Sequence, residues 1–317
     1  MIRFTAIRLI EIAAMLVLMS FVIYALIGLM PGDPIDLMRQ ADPRTSAADV
    51  MRLKALYGLD KPLVARYLAW AYQAFGGDLG YSRLFAMPVG RALLPRLGNS
   101  LVLMGTSFVL ALGVALPLGT LAARRPNSRL DAAINLLCFA GVSVPSFWLA
   151  LVLILVFAAG LGILPASGIA TAGSSDLADH LRHLVLPVAT LTAANAGFYT
   201  RYVRAAMRDA LAQDHIRTAR AKGAGEARVI LHHALRSALI PVTTILALSF
   251  GGLVSGALVT ETMFAYPGMG KLIFDAVMGN DYNLALAGLL LASATTMLAN
   301  LAADLAYGWL DPRVTYR

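Results

Sequence analysis

Asp, Glu, Lys, Arg and His are absent from six windows of the chain, which run from Ile12 to Gly32, Leu97 to Ala123, Ala132 to Ser175, Leu184 to Thr200, Ser237 to Thr260 and Tyr282 to Ala303. A charge held at mid-bilayer costs at least about 2.5 kcal/mol, and a helix needs roughly 20 apolar residues to cross. The windows therefore predict six transmembrane helices in an all-α, polytopic membrane protein. The third window is too long for one helix, and Gly160, Gly162, Pro165 and Gly168 assign its second half to an uncharged loop. The fourth window is short and reaches Tyr202 if Arg201 snorkels towards the head groups. Arg3 and Arg8 precede the first run as they would in a secretory signal. From Ile12 to Met30, however, that run is too long for one and lacks a small-residue cleavage site, so residues 1–30 read as a retained anchor helix.

Basic residues between the windows set the orientation. Arg124, Arg125 and Arg129 crowd the second connector, and Arg201, Arg204, Arg208, Arg217, Arg220, Lys222, Arg228 and Arg236 crowd the fourth. Positive charge in short loops marks the cytoplasmic side, so both termini are expected inside, with residues 308–317 as a cytoplasmic tail. The first connector, residues 31–96, is then an extracytoplasmic subdomain, with Ala47 to Tyr57 and Pro62 to Phe75 as short helices. Pro117, Pro145, Pro187 and Pro241 fall within or beside spans. They fit kinked helices around a path, and equally the ordinary frequency of proline in membrane helices.

Composition agrees: the chain is 59% hydrophobic and 14% charged, more apolar surface than one soluble core can hide. The net charge of +8 lies in short loops and not along one solvated face, which excludes nucleic acid as a partner and leaves membrane lipid. The single Cys138 sits in an apolar run and forms no disulfide or metal framework. His180 with His183, and His232 with His233, lack a Cys or carboxylate cluster and read as interfacial residues, so no metal site is expected. Gly268-Met-Gly-Lys271 is no phosphate loop, because Leu272 stands where a magnesium-binding Ser or Thr belongs. No catalytic constellation of paired Asp, Ser with His or HExxH is evident, which argues against a membrane-embedded enzyme. The absence of ionisable residues at mid-span argues against a transporter driven by an ion gradient.

Three polar or small-residue patterns remain. Thr192, Asn195 and Tyr199 share one face of the fourth span, which suits either a translocation path or hydrogen bonding between helices. Gly252 and Gly256 form a GxxxG pair that reads as helix packing. In the fourth connector, residues 204–236, two short amphipathic helices flank a break at Gly223 to Gly225. Ile216, Ala219 and Gly223 share a face of the first helix, with small residues that let a partner approach. Residue chemistry alone leaves open a helix lying on anionic lipid or one that docks against a protein.

The run Arg217-Thr-Ala-Arg-Ala-Lys-Gly223 resembles the EAA-xxx-G loop of binding-protein-dependent ABC importer permeases, in the oligopeptide and dipeptide branch that also includes nickel and glutathione importers. Arg217 and Thr218 replace the first Glu and Ala of the general pattern, while Ala219 and Gly223 keep theirs. The same branch is resembled by Met30-Pro-Gly-Asp-Pro34, Tyr57-Gly-Leu-Asp-Lys-Pro62, Gly77-Asp-Leu-Gly80 and Leu97-Gly-Asn-Ser100. Further along the chain, Leu164-Pro-Ala-Ser-Gly168, Glu261-Thr-Met-Phe-Ala-Tyr-Pro-Gly-Met-Gly270, Asp281-Tyr282 and Asp311-Pro-Arg313 resemble it too.

The resemblance implies a type I ABC importer permease fold over residues 94–307. It implies a coupling helix that engages an ATPase through Asp214, Ile216, Arg217, Thr218, Ala219, Ala221, Lys222 and Gly223. The implied partners are a second, homologous permease in a heterodimer, two cytoplasmic ABC ATPases holding ATP and magnesium, and an extracytoplasmic solute-binding protein. The chain itself would bind no cofactor and carry peptides or a related small solute.

Overall fold

The computed structural model describes residues 2–29, 61–174, 176–252 and 257–310. Helix α1 (Ile2–Gly28) is followed by α2 (Leu63–Phe75) and by a small antiparallel hairpin, β1 (Tyr81–Ser82) with β2 (Met87–Pro88). Then come α3 (Val89–Arg124), α4 (Arg129–Ser143) and α5 (Ser146–Leu153), the last continued by a π-helical stretch, Ile154–Gly160. The long α6 (Leu177–Leu211) precedes α7 (Asp214–Ala221) and α8 (Glu226–Arg228). A second π-helical stretch, Val229–Ala234, leads into α9 (Leu235–Gly252), and α10 (Leu258–Met263), α11 (Met269–Met278) and α12 (Tyr282–Leu310) are the last elements among the described residues.

Among the described residues, α1, α3 and α12 are long and apolar enough to cross a membrane, and α4 with α5 makes a fourth if that bent pair is one span. The fourth and fifth windows fall on α6 and α9. The third window ends its helix at Gly160 and runs on as a loop through the glycines, as expected, but it also holds a break that the sequence reading lacks: at Val144–Pro145 the two helical halves meet at 96°. Proline disfavours a helical residue before it, and Val144 is extended at φ −77°, ψ 121°. Pro117, Pro187 and Pro241, by contrast, sit inside helices that continue through them. Gly256, the segments Met30 to Pro34 and Ala47 to Asp60, and Asp311 to Arg317 lie outside the described residues.

Helix α6 is the packing axis, lying against α3, α4 and α9. Glycines allow the closest approaches. A Cβ on Gly119 of α3 would meet the Val203 side chain of α6 at 2.7 Å, and one on Gly197 of α6 would meet the Cys138 carbonyl of α4 at 2.6 Å. Helix α12 packs on α1, α9 and α11.

Two clusters mark opposite ends. One joins Ile23 and Ile27 to Val89, Leu93, Met269, Leu272 and Leu284, and the other joins Ala123 and Val203 to Met207, Ile216, Val229 and Ala234. The first, third and fifth connectors thus share one end: the Ser82 hydroxyl donates to Asp281 at 2.6 Å, and the Gly168 N–H donates to the Phe264 carbonyl at 2.8 Å. The basic second and fourth connectors share the other, where Asp131 meets Arg204.

Candidate functional site

At the basic end, α6 stops at Leu211, Gln213 turns to an extended conformation, and α7 begins at Asp214. The closing turn explains the glycine. The Gly223 N–H donates to the Arg220 carbonyl at 2.9 Å, the Ala224 N–H donates to the Ala219 carbonyl at 3.1 Å, and Gly223 sits at φ +81°. This is the Schellman closure, whose left-handed residue carries a penalty for any side chain with a Cβ.

The structure divides the residues expected on the coupling helix between a buried and an exposed face. Ile216 is 0% exposed and belongs to the cluster of Val203, Met207, Ala210 and Val229, and Ala219 and Ala224 pack against the same cluster. That face of α7 covers the protein's own body. The face open to a partner carries Asp214, Arg217, Thr218, Ala221, Lys222 and Gly223. Arg217 lies 3.3 Å from Asp214, and Arg220 donates to both Glu226 oxygens at 2.7 and 3.3 Å, bridging α7 to α8. That pair holds the Glu226 carboxyl below and the Arg220 guanidinium above its ordinary range, through the shared hydrogen bonds first.

A second clamp holds the same end together. Ser128 caps α4 by accepting from the Asp131 N–H at 3.2 Å, and the Asp131 carboxylate takes Arg204 in a fork, Nε at 2.5 Å and Nη2 at 2.7 Å. Asn127 N–H and Asn135 Nδ2 donate to the same carboxylate at 2.9 and 2.8 Å. The Arg204 hydrogen bonds, ahead of burial working the other way, hold the Asp131 carboxyl down at about 2. A carboxyl depressed on folding contributes stability above its unfolded value and loses it as pH falls through the folded one. Between about pH 4 and pH 2 the wild type is therefore expected to lose about 2 kcal/mol that Asp131→Asn lacks already at neutral pH, checked by thermal unfolding in detergent across that range.

The polar stripe of α6 is shared between packing and a cleft. Tyr199 is buried edge-on against Phe108 with ring centroids 5.9 Å apart, and Thr192 donates to the Ser107 carbonyl at 3.4 Å. Asn195 and Tyr199 line a cleft of about 260 Å3 with Met104, Ser107, Phe108, Phe198 and Ser249. Thr192 is not among its lining residues. Phe198 also borders a wider groove of about 440 Å3, where Arg201 lies over the Phe139 ring at 4.6 Å beside Tyr202 and Asn135. His180 Nδ1 lies 3.0 Å from the Ile169 carbonyl and His183 Nδ1 2.9 Å from that of Asp179, while the His232 and His233 rings meet edge to face at 5.3 Å.

The opposite end holds a lock that residue patterns did not mark. Glu261 is 0% exposed, and its carboxylate accepts from the Ser100 hydroxyl at 2.7 Å and from the Lys271 N–H at 2.9 Å. It supplies the N-terminal cap of α11 that Gly268, without a side chain, cannot, and a Cβ on Gly268 would occupy the carboxylate's space. Asn99 Nδ2 donates to the Pro267 carbonyl at 2.8 Å, so the fragments around Leu97 to Ser100 and Glu261 to Gly270 form one unit. Proximity of an Asn-Ser pair to a span's start offered no periodic signal for this.

Residues 115–316 match the family described as binding-protein-dependent transport system inner membrane component, and residues 1–109 match the N-terminal region of such membrane components. The chain is 40% identical over 301 residues, 94% of each protein, to an oligopeptide transport system permease of Bacillus subtilis. It is 36% identical to a di/tripeptide transport system permease of Pseudomonas aeruginosa over 93% of each chain. To a glutathione transport system permease of Escherichia coli it is 35% identical over the full length of both. A solved structure of the MetNI methionine ABC transporter in an inward-facing conformation is similar in fold, with TM-score 0.55 and 18% identity over 69% of this chain and 96% of that one.

Proposed function

This chain belongs to the family of binding-protein-dependent transport system inner membrane components, and on that premise we propose how it acts as the permease subunit of an ABC importer. It pairs with a second, homologous permease and receives a short peptide, or a peptide-like solute such as glutathione, from a solute-binding protein. Two cytoplasmic ATPases hold the ATP and magnesium. Both termini and the loop carrying α7 are cytoplasmic, in keeping with the basic residues gathered at that end.

The observation that carries this reading is the construction of α7: an exposed polar face outward and Ile216 driven into the body. Closure of the ATPase pair pulls α7. The pull passes through Ile216 to Val203 and Met207 of α6, to Ala234 before α9 and to Ala238 and Val242 within it, and the permease halves rock outward. Relatives named for oligopeptides, di/tripeptides and glutathione support the peptide class of solute.

Affinity purification of the solubilised complex tests the docking face. Wild type is expected to bring down two ATPase subunits and a second permease, and Ala221→Arg, on the exposed face, to release the ATPases while keeping the permease pair. Full retention of the ATPases by Ala221→Arg sinks the assignment of α7 as their seat. Uptake that collapses with the proton gradient while ATP is maintained points instead to a gradient-driven transporter.

A further inference from the structure

Helix α2 lies within the first connector, which is expected to stand in the aqueous extracytoplasmic space, yet its contacts lie on the body of α1 and not beyond its end. The Tyr67 hydroxyl is 2.8 Å from the Ser20 hydroxyl and 3.4 Å from the Val17 carbonyl, and the Tyr67 ring meets Phe21 at 5.2 Å and Tyr24 at 5.7 Å. Leu63 reaches Gly28, the last residue of α1. The opposite end of α1 is marked by Arg8, which lies 3.0 Å from Glu11 and 4.0 Å from Asp304 of α12. At 1.5 Å per residue, Arg8 to Gly28 spans about 30 Å, the thickness of the hydrocarbon layer. The backbone of α2 therefore crosses α1 at its outermost apolar turns, with Tyr67 reaching down towards Ser20.

The surface of α2 divides into three arcs at helical spacing. Leu63, Tyr67, Trp70 and Ala74 form the arc towards α1, and Arg66, Ala69 and Gln73 form the polar arc. Between them Val64, Leu68, Tyr72 and Phe75 form an apolar stripe exposed at 55%, 60%, 83% and 87%. The stripe adjoins the α1 arc directly, so the apolar surface of α2 is continuous with the lipid-facing surface of α1, where Leu18, Val22 and Leu26 are likewise exposed. Tyr and Trp are the residues that settle at the boundary between head groups and acyl chains, and the stripe carries the exposed Tyr72 there, while Tyr67 is buried in the seam with α1 and Tyr24 and Trp70 are half-buried beside it.

We infer that α2 is an interfacial helix whose Val64, Leu68, Tyr72 and Phe75 stripe lies among the acyl chains of the outer leaflet. The occupant of this face is lipid, with Arg66 and Gln73 turned to the head groups and water. The first connector is in this way held down against the membrane before the hairpin at Tyr81–Ser82 docks on Asp281.

The test uses the assembled transporter in lipid nanodiscs, with single cysteines at Leu68, Tyr72 and Gln73 in a Cys138→Ala background, each carrying a small fluorophore. Tyr72 touches little and tolerates replacement, which guards against a failure of Leu68→Cys to fold. Labels at 68 and 72 are expected to be quenched several-fold more by acyl-chain spin-labelled phosphatidylcholine than by iodide, with the order reversed at 73. Iodide quenching of all three labels overturns the inference in favour of an aqueous subdomain. Protection of 68 and 72 from both quenchers overturns it in favour of a protein partner. The ATPase pulldown is independent of either result.

Discussion

Replacing Ile216 with alanine is expected to separate ATP hydrolysis from transport. Ile216 is 0% exposed among Val203, Met207, Ala210 and Val229, and removing a buried Ile side chain costs about 2–5 kcal/mol, depending on how far the site collapses. Helix α7 has only 8 residues and cannot hold itself in place, so its position rests on its packing, of which Ile216 is the fully buried member, with Ala219 beside it, the Arg220–Glu226 bridge and the His215–Ser237 contact in support. The exposed face of α7 stays chemically intact in Ile216→Ala. ATPase subunits should therefore still copurify, while solute uptake per ATP hydrolysed in proteoliposomes falls at least tenfold. Uptake and hydrolysis declining together, in constant ratio, would show that α7 transmits nothing through this contact.

The second large effect is expected at the opposite end. Glu261→Ala leaves the Ser100 hydroxyl and the Lys271 N–H without their acceptor, removes the cap of α11 and opens a void behind Gly268. Each buried neutral donor left without its acceptor costs about 1–3 kcal/mol. The expected result is a transporter that unfolds several degrees lower in detergent and exposes Asn99 and Ser100 to labelling after substitution by cysteine. Gly268→Ala should mimic it with Glu261 intact, because a Cβ there displaces the carboxylate. An unchanged unfolding temperature in both variants would mean that this end is held without Glu261, by its apolar cluster and by the Ser82–Asp281, Gly168–Phe264 and Asn99–Pro267 contacts.

Both sites join residues far apart in the chain, and that separation decides how much of each is legible in the sequence. Gly223 ends α7 where the residue pattern puts the break, because a left-handed closing residue is a local requirement. The shared face of Ile216 and Ala219 is equally local, a matter of helical spacing. Spacing cannot say what that face meets, and it packs in one cluster with Val203 and Val229 of this same chain, leaving Arg217, Thr218 and Lys222 exposed. The Asp131–Arg204 fork spans 73 positions and the Ser100–Glu261 bond 161, so no window could have paired them. Ser128 ahead of Asp131 is the one local pattern here that could have marked the start of α4, and the sequence reading passed over it.

The α-helical class, the places of the spans and the basic loops came from the sequence by itself, because excluding charge from lipid acts residue by residue and leaves its mark in composition. Tertiary structure alone decided that the third window bends at Pro145, that α7 turns its apolar face inward, and that Glu261 caps a helix beginning at Met269. Each of these depends on which surfaces are already occupied when an element packs. Burial and hydrogen-bond satisfaction are properties of the assembled neighbours, and no single segment carries them.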